Sequence, residues 1–271
     1  MKIIKAFKLG FLILKKLINS PRAIELVLRD ESEFEKILNK KYQINQLPVI
    51  PLEIFFENNE ADISHYTFLD GSSMVTDLAL LRSLAKSFMD CEYLEIGTWR
   101  GESIMNVAAV SKNCTSINLS PDEIIARGFP EKYARLHACL IDNQSHIKQI
   151  HADSYTFDFS SLDKKFDLIF VDGDHSYQGV LNDTKKVFSL LKDENSVIVW
   201  HDYGYNPEKP RHSVLLAILE GIPSQEHQHL YHVSNTMCAI YSKRNLKAEN
   251  LIFPMKPDKI FDINLKCKPV N

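Results

Sequence analysis

The chain has 271 residues, 45% of them hydrophobic and 25% charged, with a formal net charge of -3. That is enough apolar material for a full core, as one domain with attached helices or arms or as two small domains. The slightly negative balance excludes a global positive field, so nothing points to nucleic acid as a partner. No run of about eighteen apolar residues is present to form a spanning helix.

Near the N-terminus Lys2, Lys5, Lys8, Lys15 and Lys16 fall on one side of a helical wheel. Ile3, Ile4, Phe7, Phe11, Ile13, Leu14, Leu17 and Ile18 fill the other. This is a basic amphipathic helix. Two readings stay open: a helix docked on the domain or on a second copy of the chain, as in a homodimer, and a peripheral membrane contact. Ser20-Pro21 opens a second helix through Val27, and Ser32 with Glu35 forms a capping box for a third that ends near Lys40. Residues 42–51 carry two prolines and read as a connector. The stretch to Asp70 is irregular, with one short extended piece at Ile54 to Phe56. Residues 1–71 are therefore expected to be a helical N-terminal extension and connector.

From Ser72 the pattern changes. Met74 to Phe88 is helical, with Val75, Leu78, Leu81, Leu84 and Ala85 along one side. Strand then alternates with helix. Strands are expected at Tyr93 to Ile96, Thr115 to Leu119, Ile147 to His151, Phe166 to Val171 and Ser196 to Trp200. Helices are expected at Glu102 to Val110, from Ser120-Pro121, around Glu131 to Cys139, at Gly179 to Leu191 and at Val214 to Leu219. Tyr231 to Val233 and Met237 to Tyr241 form a closing antiparallel pair. Near-continuous apolar strands separated by helices predict an α/β fold, a mostly parallel sheet covered by helices on both faces. Residues 72–242 make this domain, and 243–271 a polar C-terminal arm with three prolines. In such sheets ligands bind at the carboxyl ends of the strands, where strand order reverses. The polar, Gly-rich sequence sits there: Glu95 to Gly101, Asn118, Asp153, Asp172 to Tyr177, and His201-Asp202.

The five cysteines, Cys91, Cys114, Cys139, Cys238 and Cys267, form no CxxC pair. Reduced thiols in a reducing, cytoplasmic compartment are expected, not a disulfide framework or a zinc knuckle. His227-x-His229 has no third partner at a telling spacing and reads as surface or lid.

Glu95-Ile96-Gly97-Thr98-Trp99-Arg100-Gly101 carries the first site signal. Glycine permits the tight turn and close approach of backbone to a ligand, and the following helix offers free N–H groups. A nicotinamide dinucleotide turn would read GxGxxG, and its second glycine is Trp99 here. The segment resembles the first motif of class I S-adenosylmethionine-dependent methyltransferases. His151-Ala152-Asp153-Ser154 resembles that family's third-strand motif. Val171-Asp172-Gly173-Asp174-His175-Ser176-Tyr177 together with Trp200-His201-Asp202-Tyr203 resembles a bacterial branch of small-molecule O-methyltransferases. The resemblance covers about residues 72–241.

It implies a Rossmann-like class I methyltransferase sheet of seven strands with the last antiparallel. It implies S-adenosylmethionine against Glu95, Gly97, Thr98, Gly101, Asn118, Asp153, Ser154 and Asp172. By position it implies a divalent cation, Mg2+ or another, at Asp172 and Asp202. Two departures stand out. Asn118 replaces the acid that usually grips the ribose hydroxyls, and His175 stands where wider relatives place a lysine. His175, and as a second candidate His201, would take a hydroxyl proton. The implied acceptor is a hydroxylated small molecule such as a sugar or phenol. Trp99, Tyr177, Trp200, Tyr203 and Tyr205 are candidate pocket rings. The two departures also leave a second class of function open, a degenerate methyltransferase fold used for binding or assembly.

Overall fold

The computed structural model describes Gly10 and residues 31–141, 144–250 and 255–270. The amphipathic stretch at residues 2–18 and the helix expected over residues 20–27 lie outside the described residues. Among the described residues no helix is long and apolar enough to cross a membrane.

The strands are β1 (Val49–Ile50), β2 (Glu92–Ile96), β3 (Asn113–Asn118), β4 (Ile147–His151), β5 (Leu168–Val171), β6 (Val197–Trp200), β7 (Gly204–Asn206), β8 (Lys209–Pro210), β9 (Leu230–Val233) and β10 (Ala239–Tyr241). The helices are α1 (Glu31–Lys41), α2 (Val75–Lys86), α3 (Glu102–Ala108), α4 (Pro121–Ala126), α5 (Glu131–Ala134), α6 (Tyr177–Phe188) and α7 (His212–Gly221). Eight strands form one sheet in the order β1-β9-β10-β6-β5-β2-β3-β4, and β7 and β8 form a small hairpin. β10 runs antiparallel to both neighbours, and the other adjoining pairs are parallel. This is the expected Rossmann-like sheet with its closing antiparallel strand.

Period-two alternation sorts the central strands onto two cores. Leu94, Ile96, Ile169, Val171, Ile198 and Trp200 face one layer, with Val180, Val187 and the apolar residues of α7. Tyr93, Leu168, Phe170, Val197 and Val199 face the other, with Leu80, Leu81 and Leu84 of α2 and Ile104 and Val107 of α3. Both faces are covered, which is why these strands read as unbroken apolar runs.

Three local expectations differ from the structure. The stretch read as a connector holds β1, an eighth strand paired with β9 through Val49↔His232 and Ile50↔Val233. Only two residues separate Pro48 from Pro51, and an edge position tolerates such flanking prolines. Leu52–Phe55 is a 3-10 turn and not an extended piece, and it buries Leu52. The helix expected to Cys139 stops at Ala134. Ala138 takes φ 60°, and the chain instead bonds the Gly-rich loop, Ala138 N to Trp99 O at 2.5 Å and Leu140 N to Arg100 O at 2.9 Å.

The segment before Ser72 shares the sheet's core. Leu38 and Leu47 are buried there. Glu31 accepts from Ser213 N at 2.8 Å and from Ser213 Oγ at 2.7 Å, tying α1 to the start of α7. Leu47 N donates to the buried Tyr203 hydroxyl at 2.9 Å. Tyr203→Phe strands that amide and is expected to cost about 1–3 kcal/mol in urea or thermal unfolding. A cost under about 0.5 kcal/mol would mean that the amide finds another partner.

Candidate active site

Strand order reverses between β2 and β5, and the loops after β2, β3, β4, β5 and β6 surround a cleft of about 730 Å³. Gly97, Thr98, Asn118, Asp153, Ser154, Asp172, His175, His201 and Asp202 all line it. The topology therefore gathers most of the candidate residues, from five separate stretches of chain, around one space.

Gly97 makes the first turn possible. Its φ is 84°, and a Cβ on it would lie 2.1 Å from the carbonyl oxygen of Asp172. Gly97 N donates to Ile117 O at 3.0 Å, and Asp172 N donates to Ile96 O at 2.8 Å, so the turn is pressed between β3 and β5. Gly101, at φ 102°, opens α3 beside Ile141.

Glu95 and Gly101 do not line the cleft. Glu95 is fully buried and accepts from Tyr93 Oη at 2.6 Å, Thr98 Oγ1 at 2.9 Å and Ser103 Oγ at 3.0 Å. It braces the turn from below, joining β2, the loop and α3. Burial raises its pKa to about 7, against the three hydroxyl hydrogen bonds, which favour the charged form. A carboxyl that holds its proton more tightly when folded stabilises the fold below its unfolded pKa and loses that contribution as pH rises through its folded one. Between pH 4.5 and 7 the loss should reach roughly 3 kcal/mol. Glu95→Gln, which is neutral throughout, is expected to flatten this part of the stability–pH curve. An unchanged slope would assign it to another group.

Asn118 Nδ2 donates to Thr98 O at 3.0 Å and lies 3.3 Å from His137 Nδ1. Asp153 pairs with Arg127 at 2.7 Å and accepts from Tyr155 N at 3.0 Å. Burial would raise its pKa, but the Tyr155 amide and Arg127 together hold it below the usual carboxylate range. Ser154 is anchored through its backbone carbonyl, which accepts from Lys186 Nζ at 2.6 Å.

The run after β5 is a compact turn. Asp174 accepts from Ser176 N at 2.9 Å and Ser176 Oγ at 2.8 Å, and Ser176 Oγ then accepts from Gly179 N at 3.1 Å to start α6. This places His175 at the rim, with its side chain 43% exposed and Nδ1 2.9 Å from Asp202 Oδ2. Burial opposes protonation of His175, but its contact with Asp202 prevails and raises its pKa. Asp202 also pairs with Arg211 NH2 at 3.2 Å. Its pKa is pushed far down: burial works against this, and His175 and His201 outweigh it.

His201 is buried. Nε2 lies 3.2 Å from Asp77 Oδ2, and Nδ1 lies 3.0 Å from Asp172 Oδ1 and 3.3 Å from Asp202 Oδ2. Burial opposes its charge, yet the Asp172 carboxylate and its neighbours raise its pKa well above the usual value. A histidine held among three carboxylates and screened from solvent is poorly placed to accept a substrate proton, so the geometry favours His175 of the two candidate bases.

Of the candidate rings, only Trp99 lines the cleft. It packs on Tyr133 and His137 with centroids 4.8 and 4.7 Å apart. Trp200 and Tyr203 belong to the core, Tyr177 bonds Glu220 behind the sheet, and Tyr205 lies outside under Arg211. Ring type alone did not separate packing from lining. Asp77, Arg127, His137 and Arg211 belong to no motif in the sequence. Asp77 had a visible signal: it shares the apolar face of its helix with Leu81 and Leu84, where a charge is costly unless paired. Arg211 follows an irregular hairpin and had none.

Cys91 and Cys114 are buried free thiols, and burial pushes both pKa values up to about 12. They are inert at neutral pH.

The reversal point, the closing antiparallel strand and the Gly97 turn define a class I methyltransferase architecture. Comparison with known proteins agrees: residues 94–203 match the family model described as a methyltransferase domain. Residues 94–203 are thus similar to a methyltransferase domain. Among curated proteins it is 28% identical over 140 residues to uncharacterized protein R132 of Acanthamoeba polyphaga mimivirus, a match covering 48% of this chain and 61% of that one. The chain thus spans about three fifths of the length of that relative. Similar solved structures include SAH-bound methyltransferase PaMTH1 of Podospora anserina, at 19% identity, 64% and 81% coverage and TM-score 0.41. Another is an O-methyltransferase of Bacillus cereus in complex with SAH, at 18% identity, 64% and 82% coverage and TM-score 0.45.

Proposed function

We propose that the chain transfers the methyl group of S-adenosylmethionine to a hydroxyl oxygen of a small molecule. The observation that carries this is one cleft lined both by the Gly97 turn and by Asp172, His175 and Asp202 from the neighbouring strand ends. The donor would lie along Gly97, Thr98 and Asn118, with its adenine toward Asp153 and Ser154. The acceptor hydroxyl would sit between the sulfonium and His175. The sulfonium already activates the methyl, so the protein's work is alignment and proton removal. The acceptor oxygen forms its bond to the methyl carbon as the carbon–sulfur bond breaks. The electron pair stays on sulfur, and the hydroxyl proton goes to His175 Nε2. Asp202, bonded to Nδ1, orients that ring.

The residues present also suit a divalent cation. Asp172, His175 and Asp202 each offer a ligand atom within 4.8 Å of the others. His201 Nδ1 is a buried polar atom without a hydrogen-bond partner. Asp172 and Asp202 would hold the ion, which when bound lowers the pKa of the acceptor hydroxyl and fixes its oxygen. Vicinal hydroxyls of a sugar or catechol suit such a centre. We place the reaction in the reducing cytoplasm, in keeping with the unpaired buried thiols.

The test is a screen of hydroxylated metabolites with methyl-labelled S-adenosylmethionine, run with a divalent cation and with chelator. Label in an ether product supports the reading. Label only on amines or carbons contradicts the oxygen acceptor, and activity unaffected by chelator removes the cation.

A further inference from the structure

We propose that the cation of this cleft is a first-row transition metal of the imidazole-binding kind, such as Fe2+, Co2+, Ni2+ or Zn2+, and not Mg2+. Asp172, Asp202 and His201 are its ligands, and Asp77 is the positioning residue that aims His201 at it. The inference rests on the reading above, that the cleft carboxylates hold a cation, and adds its class and its third ligand.

Two carboxylates at adjoining strand ends do not by themselves make a site. The second observation is His201. Its side chain is 8% exposed, and Nδ1 lies 3.0 Å from Asp172 Oδ1 and 3.3 Å from Asp202 Oδ2. Despite these short distances Nδ1 makes no aligned hydrogen bond. A buried nitrogen this close to two carboxylate oxygens, aligned with neither, brings three donor atoms together as ligands of one centre would be.

The other ring nitrogen is fixed. Nε2 lies 3.2 Å from Asp77 Oδ2, and Asp77 is wholly buried. Asp77 is itself held, accepting from Met74 N at 2.8 Å and Met237 N at 2.9 Å. It cannot swing in to ligate, so its effect passes through the ring. With Nε2–H donated to Asp77, a bound cation would take the place of the proton on Nδ1. A carboxylate behind an imidazole ligand fixes the tautomer and makes the ligand more basic. The donor set thus becomes one nitrogen and two oxygens, with His175 Nδ1 another 2.9 Å beyond Asp202. Mg2+ prefers oxygen and retained water, whereas imidazole suits the later first-row ions.

The experiment titrates the full-length, metal-stripped protein with Co2+ and with Mg2+, and records proton NMR of the Co2+ form. Binding of S-adenosylhomocysteine is measured on the same samples. One equivalent of Co2+ is expected, with a hyperfine-shifted, exchangeable imidazole N–H resonance that exchanges slowly because Asp77 holds it. His201→Gln should remove that resonance and weaken Co2+ by about 10–100-fold, while changing Mg2+ affinity far less. Asp77→Asn should weaken Co2+ on the same scale with S-adenosylhomocysteine affinity unchanged. If that variant fails to fold, slow exchange of the wild-type resonance tests Asp77 independently.

A Co2+ complex lacking the resonance overturns His201 as ligand. Fast exchange overturns the role of Asp77. Equal loss of Co2+ and Mg2+ affinity in His201→Gln overturns the metal class. No Co2+ binding beside normal S-adenosylhomocysteine binding overturns the metal site and leaves methyl transfer standing. Metal binding without any S-adenosylhomocysteine binding overturns the cofactor reading and leaves the site.

Discussion

Gly97→Ala is expected to be the most damaging single-methyl change in the domain. The residue sits at φ 84°, and the new Cβ would meet the Asp172 carbonyl oxygen at 2.1 Å. Neither group can yield cheaply. Asp172 N is bonded to Ile96 O, and Gly97 N to Ile117 O. The left-handed backbone costs an alanine roughly 1–2 kcal/mol, and forced displacement in a packed region adds about 1–3 kcal/mol. A loss of about 3 kcal/mol is expected, or a melting temperature lower by roughly 6–12 °C. S-adenosylhomocysteine affinity should fall with it, because relief requires the loop or the start of the Asp172 turn to leave its place. Thermal unfolding and calorimetry read the two effects. A variant that melts and binds like the parent would show that the turn is not pinned.

His175→Ala is expected to separate chemistry from binding. The ring lies at the rim, hydrogen-bonded to Asp202, and makes none of the contacts that shape the Gly97 turn. Removing a positioned base lowers turnover by roughly 100–10,000-fold. S-adenosylhomocysteine affinity should stay within about twofold, since the wall built from Gly97, Thr98, Asn118 and Asp153 is untouched. Turnover is measured with labelled cofactor on the acceptor that the metabolite screen identifies. Near-normal turnover across pH 6 to 9 would remove His175 from the mechanism. Equal losses in turnover and in cofactor affinity would make it a structural residue.

Much of this site is legible in the amino-acid sequence, because strand-end position does most of the placing. Once β2, β3, β4, β5 and β6 are recognised as parallel strands, the residues that follow them must converge at one edge. That logic locates Gly97, Asn118, Asp153, Asp172 and Asp202. It cannot say which way a side chain turns. Glu95 ends a strand as the others do, yet it points beneath the loop, because Tyr93, Thr98 and Ser103 surround it with donors. In the sequence His175 ranks ahead of His201 only because its motif is the more distinctive. The burial of His201, held by Asp77 from a helix 124 residues away along the chain, supplies the physical difference. The aromatic wall of Trp99, Tyr133 and His137 is illegible for another reason. It depends on the chain breaking helix at Ala138 to bond the Gly-rich loop, a tertiary preference that local propensity does not carry. β1 is hidden by its prolines and by its length of two residues.

The cleft over Gly97 is the proposed cofactor site for methyl transfer. Calorimetric titration of the full chain with S-adenosylhomocysteine and, separately, with NAD tests it most directly. S-adenosylhomocysteine is expected to bind one to one, lost or strongly weakened in Gly97→Ala, with no heat of binding from NAD. Binding of NAD alone, or a folded protein that ignores S-adenosylhomocysteine at millimolar concentration, would contradict the account. The second result would point to a methyltransferase fold used only for binding or assembly.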